Sequence, residues 1–177
     1  MKAIFTEQEL TEIKSAVREA EKTTSAEIVP VFFESCGNYL DTYWKSGILL
    51  ATFWSFLYFL YHSIYPNYWS LNLPYFFMTQ MAAGLLGIII IYLIPSWKRF
   101  LMDREDVKSR TRDLAYRVFL QEGVFQTKDR TGMLLFMSFL EREAVILGDE
   151  GINQKVSPEI WEGILVSLTS GMKRGNK

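Results

Sequence analysis

A chain of 177 residues has room for about one ordinary domain and an appendage. Its formal net charge of −1 gives no electrostatic attraction to phosphate backbones, which argues against nucleic acid as a partner. The single cysteine, Cys36, excludes an intrachain disulfide, and one histidine leaves no Cys/His cluster for zinc or haem.

The first segment predicts a helix followed by a strand. Thr6 and Glu9 have the spacing of a capping box, and apolar residues recur at helical intervals after Leu10. The run 26–33 (AEIVPVFF) is β-branched and aromatic enough for a strand. Pro30 cannot donate a ladder hydrogen bond, so it favours an edge position or a bulge.

A long uncharged stretch follows, because no Asp, Glu, Lys or Arg occurs from Ser46 to Trp97. Two apolar runs within it, 47–65 and 75–94, are each close to the ~20 residues needed to cross ~30 Å of hydrocarbon. A pair of buried core helices is the alternative, but a soluble domain of this size seldom hides so long an uncharged stretch. The connector, Pro66 to Pro74, carries aromatic rings suited to a headgroup boundary. We therefore predict a transmembrane hairpin.

Flanking cations predict the orientation of this hairpin. Lys45 precedes the first run, Lys98 and Arg99 follow the second, and the connector between the runs has no cation. The positive-inside rule then places both chain termini in the cytoplasm and the connector outside. The stretch 98–117 has seven cations against four anions, and it either touches anionic lipid headgroups or forms a solvated helix face.

The segment after the hairpin predicts a helix, two strands and a second helix. The first helix covers 106–121, and apolar segments at 132–140 and 143–147 are expected to pair as strands. Ser157 followed by Pro158 begins the last helix. The whole pattern indicates an α/β sandwich interrupted by a hydrophobic insert. The expected bounds of its first part, the hairpin and its second part are 1–45, 46–97 and 98–177.

Several residues that could carry chemistry are expected to have structural roles instead. Glu141 and Glu143 flank Arg142 in the expected turn, where solvated turn chemistry and charge pairing are the simplest role. Cys36 is expected to be a free thiol in a turn, since no base or cation is visible beside it. His62, near the end of the first apolar run, is expected to be an interfacial side chain.

Asp149 is the strongest candidate site residue. It follows the second strand of the expected pair, lies between two glycines, and occupies a position where α/β sheets commonly bind ligands. One hypothesis is a weak oxygen-ligand site for Ca²⁺ or Mg²⁺ on Asp149, helped by Glu27 or Glu150. In the alternative, Asp149 caps a turn and Glu27 pairs with a cation.

Several short motifs outside the hairpin are informative together, through their order and spacing along the chain. They are Phe5, TSAEI (24–28), Phe119, Gly123, Thr127, Gly132, SFLER (138–142), DEGI (149–152) and Trp161. In this order they resemble the TPM domain family, named for a thylakoid-lumen phosphatase-like protein, a photosystem II protein and a nematode acetylcholine-receptor modulator. A subgroup of that family is similar in having a transmembrane pair inserted after the first strand.

The resemblance implies one of two kinds of function, and a structural role or a signalling adaptor is the third alternative. Plant and cyanobacterial relatives are associated with photosystem repair and with a debated acid-phosphatase activity, while others look like binding or assembly modules. We expect a module for the binding, assembly or turnover of membrane proteins, with the lipid bilayer and a membrane protein as partners. The alternative is a divalent-cation-dependent phosphatase of the TPM type, although the sequence has no P-loop, Gly-x-Ser-x-Gly elbow or Cys-x5-Arg loop. Family members usually carry another helix after the Trp161 helix, so a missing terminal element is also expected.

Overall fold

The computed structural model describes residues 5–65 and 72–174. The chain forms two compact units. Asn38–Asp103 is the hairpin unit, and the described residues before and after it form the α/β unit. The general class, mixed helix and strand, is confirmed.

The elements follow one another along the chain in the order expected, with two short helices added. They are α1 (Glu7–Thr23), β1 (Glu27–Phe33), α2 (Leu40–Ile64), α3 (Leu73–Leu93), α4 (Pro95–Leu101), α5 (Arg104–Gln121), β2 (Gly132–Ser138), β3 (Glu143–Gly148), α6 (Glu150–Asn153) and α7 (Pro158–Arg174).

The predicted capping box at the start of α1 is confirmed. The Thr6 backbone N–H donates to the Glu9 carboxylate at 2.7 Å, and the Glu9 N–H donates to the Thr6 hydroxyl at 3.3 Å. These bonds satisfy two of the N–H groups that a helix start leaves without a partner. The sequence therefore determines where α1 begins.

The described strands form one sheet in the order β1-β2-β3. β1 is parallel to β2, with Glu27 opposite Gly132, and β2 is antiparallel to β3, with Met133 opposite Gly148. The predicted pairing of the last two strands is confirmed. β1 lies at an edge of the sheet, which is where Pro30 can sit without breaking a ladder hydrogen bond on its outer side.

Helices cover both faces of this sheet. On one face, the fully buried Leu134 and Phe136 of β2 pack with Ala115 and Val118 of α5. On the other face, Met137 belongs to a second buried cluster that includes Met172 and Ala144. α1 lies against β1 and α7 against β3. The α/β unit thus has a helix layer on each side of the sheet.

In the hairpin unit, α2 and α3 are both long and apolar enough to cross a membrane. They contain nearly all of the predicted runs 47–65 and 75–94. Only 6% of the most apolar window of α2 and 11% of that of α3 is buried. α2 and α3 are therefore not the pair of buried core helices that was the alternative. Residues 66–71, which include most of the predicted aromatic connector, lie outside the described ranges.

Small residues bring α2 and α3 close together. A Cβ added at Gly87 would lie 2.6 Å from the Ser46 carbonyl oxygen and 2.9 Å from the Gly47 Cα, so only glycine fits there. The Ser46 hydroxyl donates to the Gly87 carbonyl at 2.8 Å and accepts from the Trp97 indole at 3.0 Å. Such interhelical bonds are the kind that stabilise helix pairs in lipid.

Candidate functional site

One end of the sheet holds a buried carboxylate. The Glu141 cluster consists of Glu141, Ser138, Ser35 and Cys36, which lie where β1 and β2 end. The Cys36 N–H donates to the Glu141 carboxylate at 2.8 Å, the Ser35 hydroxyl lies 3.1 Å from it, and the Ser138 hydroxyl also donates to it. Glu141 therefore holds the chain that leaves β1.

Glu141 lies in the predicted turn between β2 and β3, but the prediction that it is solvated is wrong. Glu141 is buried, and its described partners are hydroxyl and backbone N–H groups. Arg142, which directly precedes β3, has a positive φ of 56°, so the turn enters β3 through a left-handed step. The Glu141 side chain lies across the ends of β1 and β2, where the Cys36 N–H and the Ser138 hydroxyl donate to it.

The Cys36 thiol is partly buried at this end of the unit. Burial raises the pKa of the thiol, and this effect outweighs its hydrogen-bond contacts with Ser138 and Thr111. A raised pKa keeps the sulfur protonated and so disfavours a nucleophile. This agrees with the expectation that Cys36 is not catalytic, which stays a prediction.

The opposite end of the sheet holds the Asp149 cluster, formed by Asp149, Glu150 and Arg130. The two carboxylate oxygens of Asp149 accept from Arg130 Nη2 at 3.1 Å and Nε at 3.3 Å, and Glu150 accepts from Arg130 Nη1 at 2.8 Å. Asp149 also caps α6, because its side chain accepts from the Glu150 N–H at 2.8 Å. The structure therefore shows the capping role that was weighed against metal binding.

The charge of Asp149 is stabilised by these contacts. The Glu150 N–H, followed by the Arg130 guanidinium, holds the pKa of the Asp149 carboxyl below its usual value. The Arg130 side chain is more than half exposed, so water and salt screen the pair. We therefore expect this pair to contribute less to stability than the Glu141 cluster.

The predicted metal ligands are only partly brought together. Glu27 lies at the same end of the sheet as Asp149, but β2 separates their strands, which places them about 10 Å apart at ~4.8 Å per strand. Within residues 5–65 and 72–174, no group of three or more acidic, histidine or cysteine residues could hold a metal ion. A cation at Asp149 would also have to displace Arg130. The Ca²⁺ or Mg²⁺ site, and the phosphatase built on it, stay predictions.

An apolar groove of about 360 Å³ crosses the sheet between α1 and α7. Leu135 and Met137 of β2 form its floor, and Phe5, Phe32 and Phe139 line it as well. The Phe5 ring packs edge-on against the rings of Phe32 and Phe139, with centroids 4.7 and 5.5 Å away. The groove therefore has one rigid aromatic portion.

An apolar patch lies on the opposite helix layer. The exposed side chains of Tyr116 and Leu120 are one turn apart on α5, and Phe125 follows the helix. The Phe125 ring centroid lies 6.3 Å from that of Phe119, a partly buried side chain that packs against the core beneath α5. The patch is thus fixed to the folded unit.

Sequence reasoning missed Arg130, Glu141 and the groove, although the first had a usable signal. Once β2 and β3 are paired antiparallel, the residues just before β2 lie beside the residues just after β3, which places Arg130 next to Glu150. The signal for Glu141 was weaker. It was Ser138, three residues earlier, whose hydroxyl can reach the Glu141 carboxylate across a turn. The groove had none, because it depends on how α1 and α7 are placed over the sheet.

No family model, curated protein or solved structure matches the chain. The TPM resemblance therefore remains a prediction based on the motifs of this sequence.

Proposed function

We propose that this chain is an integral membrane protein with two spans, and that its α/β unit is a TPM-like sandwich that binds membrane proteins during their assembly or turnover. The observation that carries the proposal is the exposure of apolar side chains on α2 and α3, such as Met78, which is 73% exposed. Apolar surface in water costs about 25 cal/mol per Å², and lipid removes that cost.

The cations of the hairpin unit support an orientation with both termini in the cytoplasm. Lys45 forms a salt bridge with Asp41 at 2.8 Å in the second turn of α2. The Lys98 ammonium donates to the Asn38 carbonyl at 3.2 Å and lies 5.3 Å from the Tyr43 ring centroid. Lys98, which follows α3, thus lies beside the start of α2, and positive charge at this end favours the cytoplasmic side.

The apolar patch of Tyr116, Leu120 and Phe125 supports the binding role. The core beneath α5 is formed by Ala115, Val118 and the sheet, and it does not use the patch. Clustered apolar side chains on an otherwise polar surface mark interaction sites more often than single exposed ones do. The partner we propose is a membrane protein with a complementary apolar surface on its cytoplasmic side.

A matched pair of variants tests this role. We expect Leu120→Glu to remove a membrane-protein partner that co-purifies with the full chain in mild detergent, because a carboxylate would enter the apolar contact. Val166→Glu makes the same change at a similarly exposed position of α7 and should retain the partner. Partner recovery, measured by quantitative mass spectrometry, that is unchanged in Leu120→Glu or lost equally in both variants would contradict the proposal.

A further inference from the structure

One polar side chain of the hairpin unit has a hydrogen-bond donor that the hairpin does not use. Gln80 of α3 faces α2, and its amide oxygen accepts from the Ser55 hydroxyl at 2.8 Å. Among the described residues, Ser55 is the one hydrogen-bond partner of the Gln80 side chain. In either orientation of the amide, Ser55 can occupy at most one of its two N–H groups. At least one donor therefore has no partner in the hairpin.

This donor is accessible from outside the helix pair. Gln80 is partly buried, but the described residues do not enclose its amide nitrogen. Neighbouring polar groups are already bonded elsewhere, since the Trp54 indole donates to the Thr79 hydroxyl at 3.0 Å and that hydroxyl donates to the Tyr75 carbonyl at 3.0 Å. A partner for the Gln80 amide therefore has to approach from outside the hairpin.

The depth of Gln80 in its helix makes an unused donor costly. At about 1.5 Å per residue, Gln80 is about 10 Å from Leu73 and about 20 Å from Leu93, the two ends of α3. The hydrocarbon core of the bilayer proposed above is ~30 Å thick, so Gln80 lies inside it. Lipid tails offer no acceptor in place of water. An acceptor on another membrane-spanning helix removes this cost.

The amide group itself indicates which helix supplies the acceptor. Its oxygen has a second lone pair besides the one that Ser55 uses, so two Gln80 amides can donate to each other reciprocally. Two copies of the chain with the same topology, related by a two-fold axis along the membrane normal, have Gln80 at the same depth. An unrelated membrane protein would need a polar group at this level of its own span. A second copy therefore matches Gln80 in both chemistry and depth.

We propose that two copies of this chain pair within the membrane through reciprocal hydrogen bonds between their Gln80 amides. This inference rests on the proposed membrane location of α3. It goes beyond the proposed binding role, because the contact lies in the span and not on the α/β unit. Each dimer would carry two copies of the apolar patch on α5, and so two binding sites for the proposed partner.

Energy transfer between labelled copies in liposomes tests the inference. In a Cys36→Ser background, the full chain carries Asn176→Cys as its labelling site. Donor-labelled and acceptor-labelled protein are reconstituted together in phosphatidylcholine liposomes over a range of protein-to-lipid ratios, which gives the dissociation constant of the dimer. We expect saturable energy transfer that an excess of unlabelled chain abolishes.

Two variants separate contact between copies from packing within one hairpin. Gln80→Leu removes the amide and should raise the dissociation constant about tenfold, because polar bonds between helices in lipid are of modest strength. Ser55→Ala removes the bond within the hairpin but leaves the Gln80 amide in place. It should leave the dissociation constant unchanged or lower it, since the whole amide is then available to the second copy.

Alkaline extraction of the same liposomes separates two ways of failing. Chain that resists extraction but shows no saturable transfer would support membrane insertion and overturn the Gln80 pair, leaving the amide to a helix of another protein. Equal dissociation constants with and without Gln80→Leu, or equal weakening by Gln80→Leu and Ser55→Ala, would also overturn it. Chain that alkali extracts would contradict the membrane location itself, and the inference with it.

Discussion

The α/β unit and the hairpin unit use the same apolar residue types in opposite ways. Leu134 and Phe136 in the sheet are fully buried, whereas Phe77 and Met78 in α3 are 60% and 73% exposed. In the first unit other parts of the chain cover the apolar side chains. In the second unit the cover has to come from outside, and lipid is the solvent that we propose for it.

The two units also satisfy their polar groups differently. In the hairpin unit, polar side chains bond between helices, as Trp54 does with Thr79 at 3.0 Å and Ser55 with Gln80 at 2.8 Å. In the α/β unit, Glu141 satisfies groups from separate strand ends. Neutral polar side chains therefore pair within the uncharged stretch of the hairpin, whereas the α/β unit contains a buried carboxylate.

The largest expected effect is on the core of the α/β unit. Phe136→Ala should lower its free energy of unfolding by about 3–5 kcal/mol, because the fully buried ring leaves a cavity. Hydrogen–deuterium exchange of peptide 131–142 in the full chain measures this loss. Val166→Ala, at an exposed position of α7, should change the exchange of this peptide little. Similar exchange in both variants would show that the sheet is not the core.

A charge on the exposed face of α3 tests whether lipid surrounds the hairpin unit. Leu85→Lys should cost about 2.5–3.5 kcal/mol of insertion, because Leu85 lies near the middle of α3 and faces outward. Leu120→Lys, at an equally exposed position of α5, should leave insertion unchanged. The measurement is the fraction of chain that resists alkaline extraction from membranes. Equal fractions for the two variants would mean that α3 is not surrounded by lipid.

The Glu141 cluster should show a smaller effect. Glu141→Ala leaves the buried Ser138 hydroxyl and the Cys36 N–H without their acceptor, which should cost about 1–3 kcal/mol. Glu141→Gln keeps one acceptor oxygen and should cost less. Thermal unfolding shows which variant loses more stability. A greater loss of stability in Glu141→Gln than in Glu141→Ala would contradict the role of Glu141 as an acceptor.

The Asp149 cluster should show the smallest effect, and one that depends on pH. Asp149→Asn keeps a capping oxygen but loses the Arg130 ion pair, so the loss should be less than for Glu141→Ala. Because the folded-state pKa of Asp149 is lowered, its contribution is present above the unfolded value of about 3.9 and disappears as the pH falls through the folded value. Unfolding measured from pH 7 downward should show wild type and variant converging in acid.

Calorimetry on the same two proteins tests the metal prediction. Because the Arg130 guanidinium forms a salt bridge with the Asp149 carboxylate, we expect equal heats when Ca²⁺ is added to wild type and to Asp149→Asn. A binding heat seen in wild type and lost in the variant would restore the Ca²⁺ site, and would show that the cation displaces Arg130.

Local patterns predicted the elements of the fold well. The capping box at Thr6, the edge position of Pro30 and the antiparallel pairing of β2 with β3 follow from residue types and short spacings. The uncharged stretch predicted the hairpin helices because a span depends on composition and length alone.

The surroundings of the carboxylates could not be predicted in the same way. Glu141 becomes buried because β1 runs parallel to β2, which brings Ser35 and Cys36 beside it from more than a hundred residues away along the chain. Asp149 acquires Arg130 through the antiparallel register of β2 and β3. Such partners depend on tertiary pairing, which residue spacing within one segment does not report.

Accessibility labelling of introduced cysteines tests the central claim, a two-span hairpin with both termini in the cytoplasm, most directly. In a Cys36→Ser background, Asn67→Cys in the connector and Asn176→Cys near the end of the sequence are treated with a membrane-impermeant maleimide. We expect labelling of Asn67→Cys in intact cells, and of Asn176→Cys only after permeabilisation. Labelling of Asn176→Cys in intact cells, or of neither variant until the cells are opened, would contradict it.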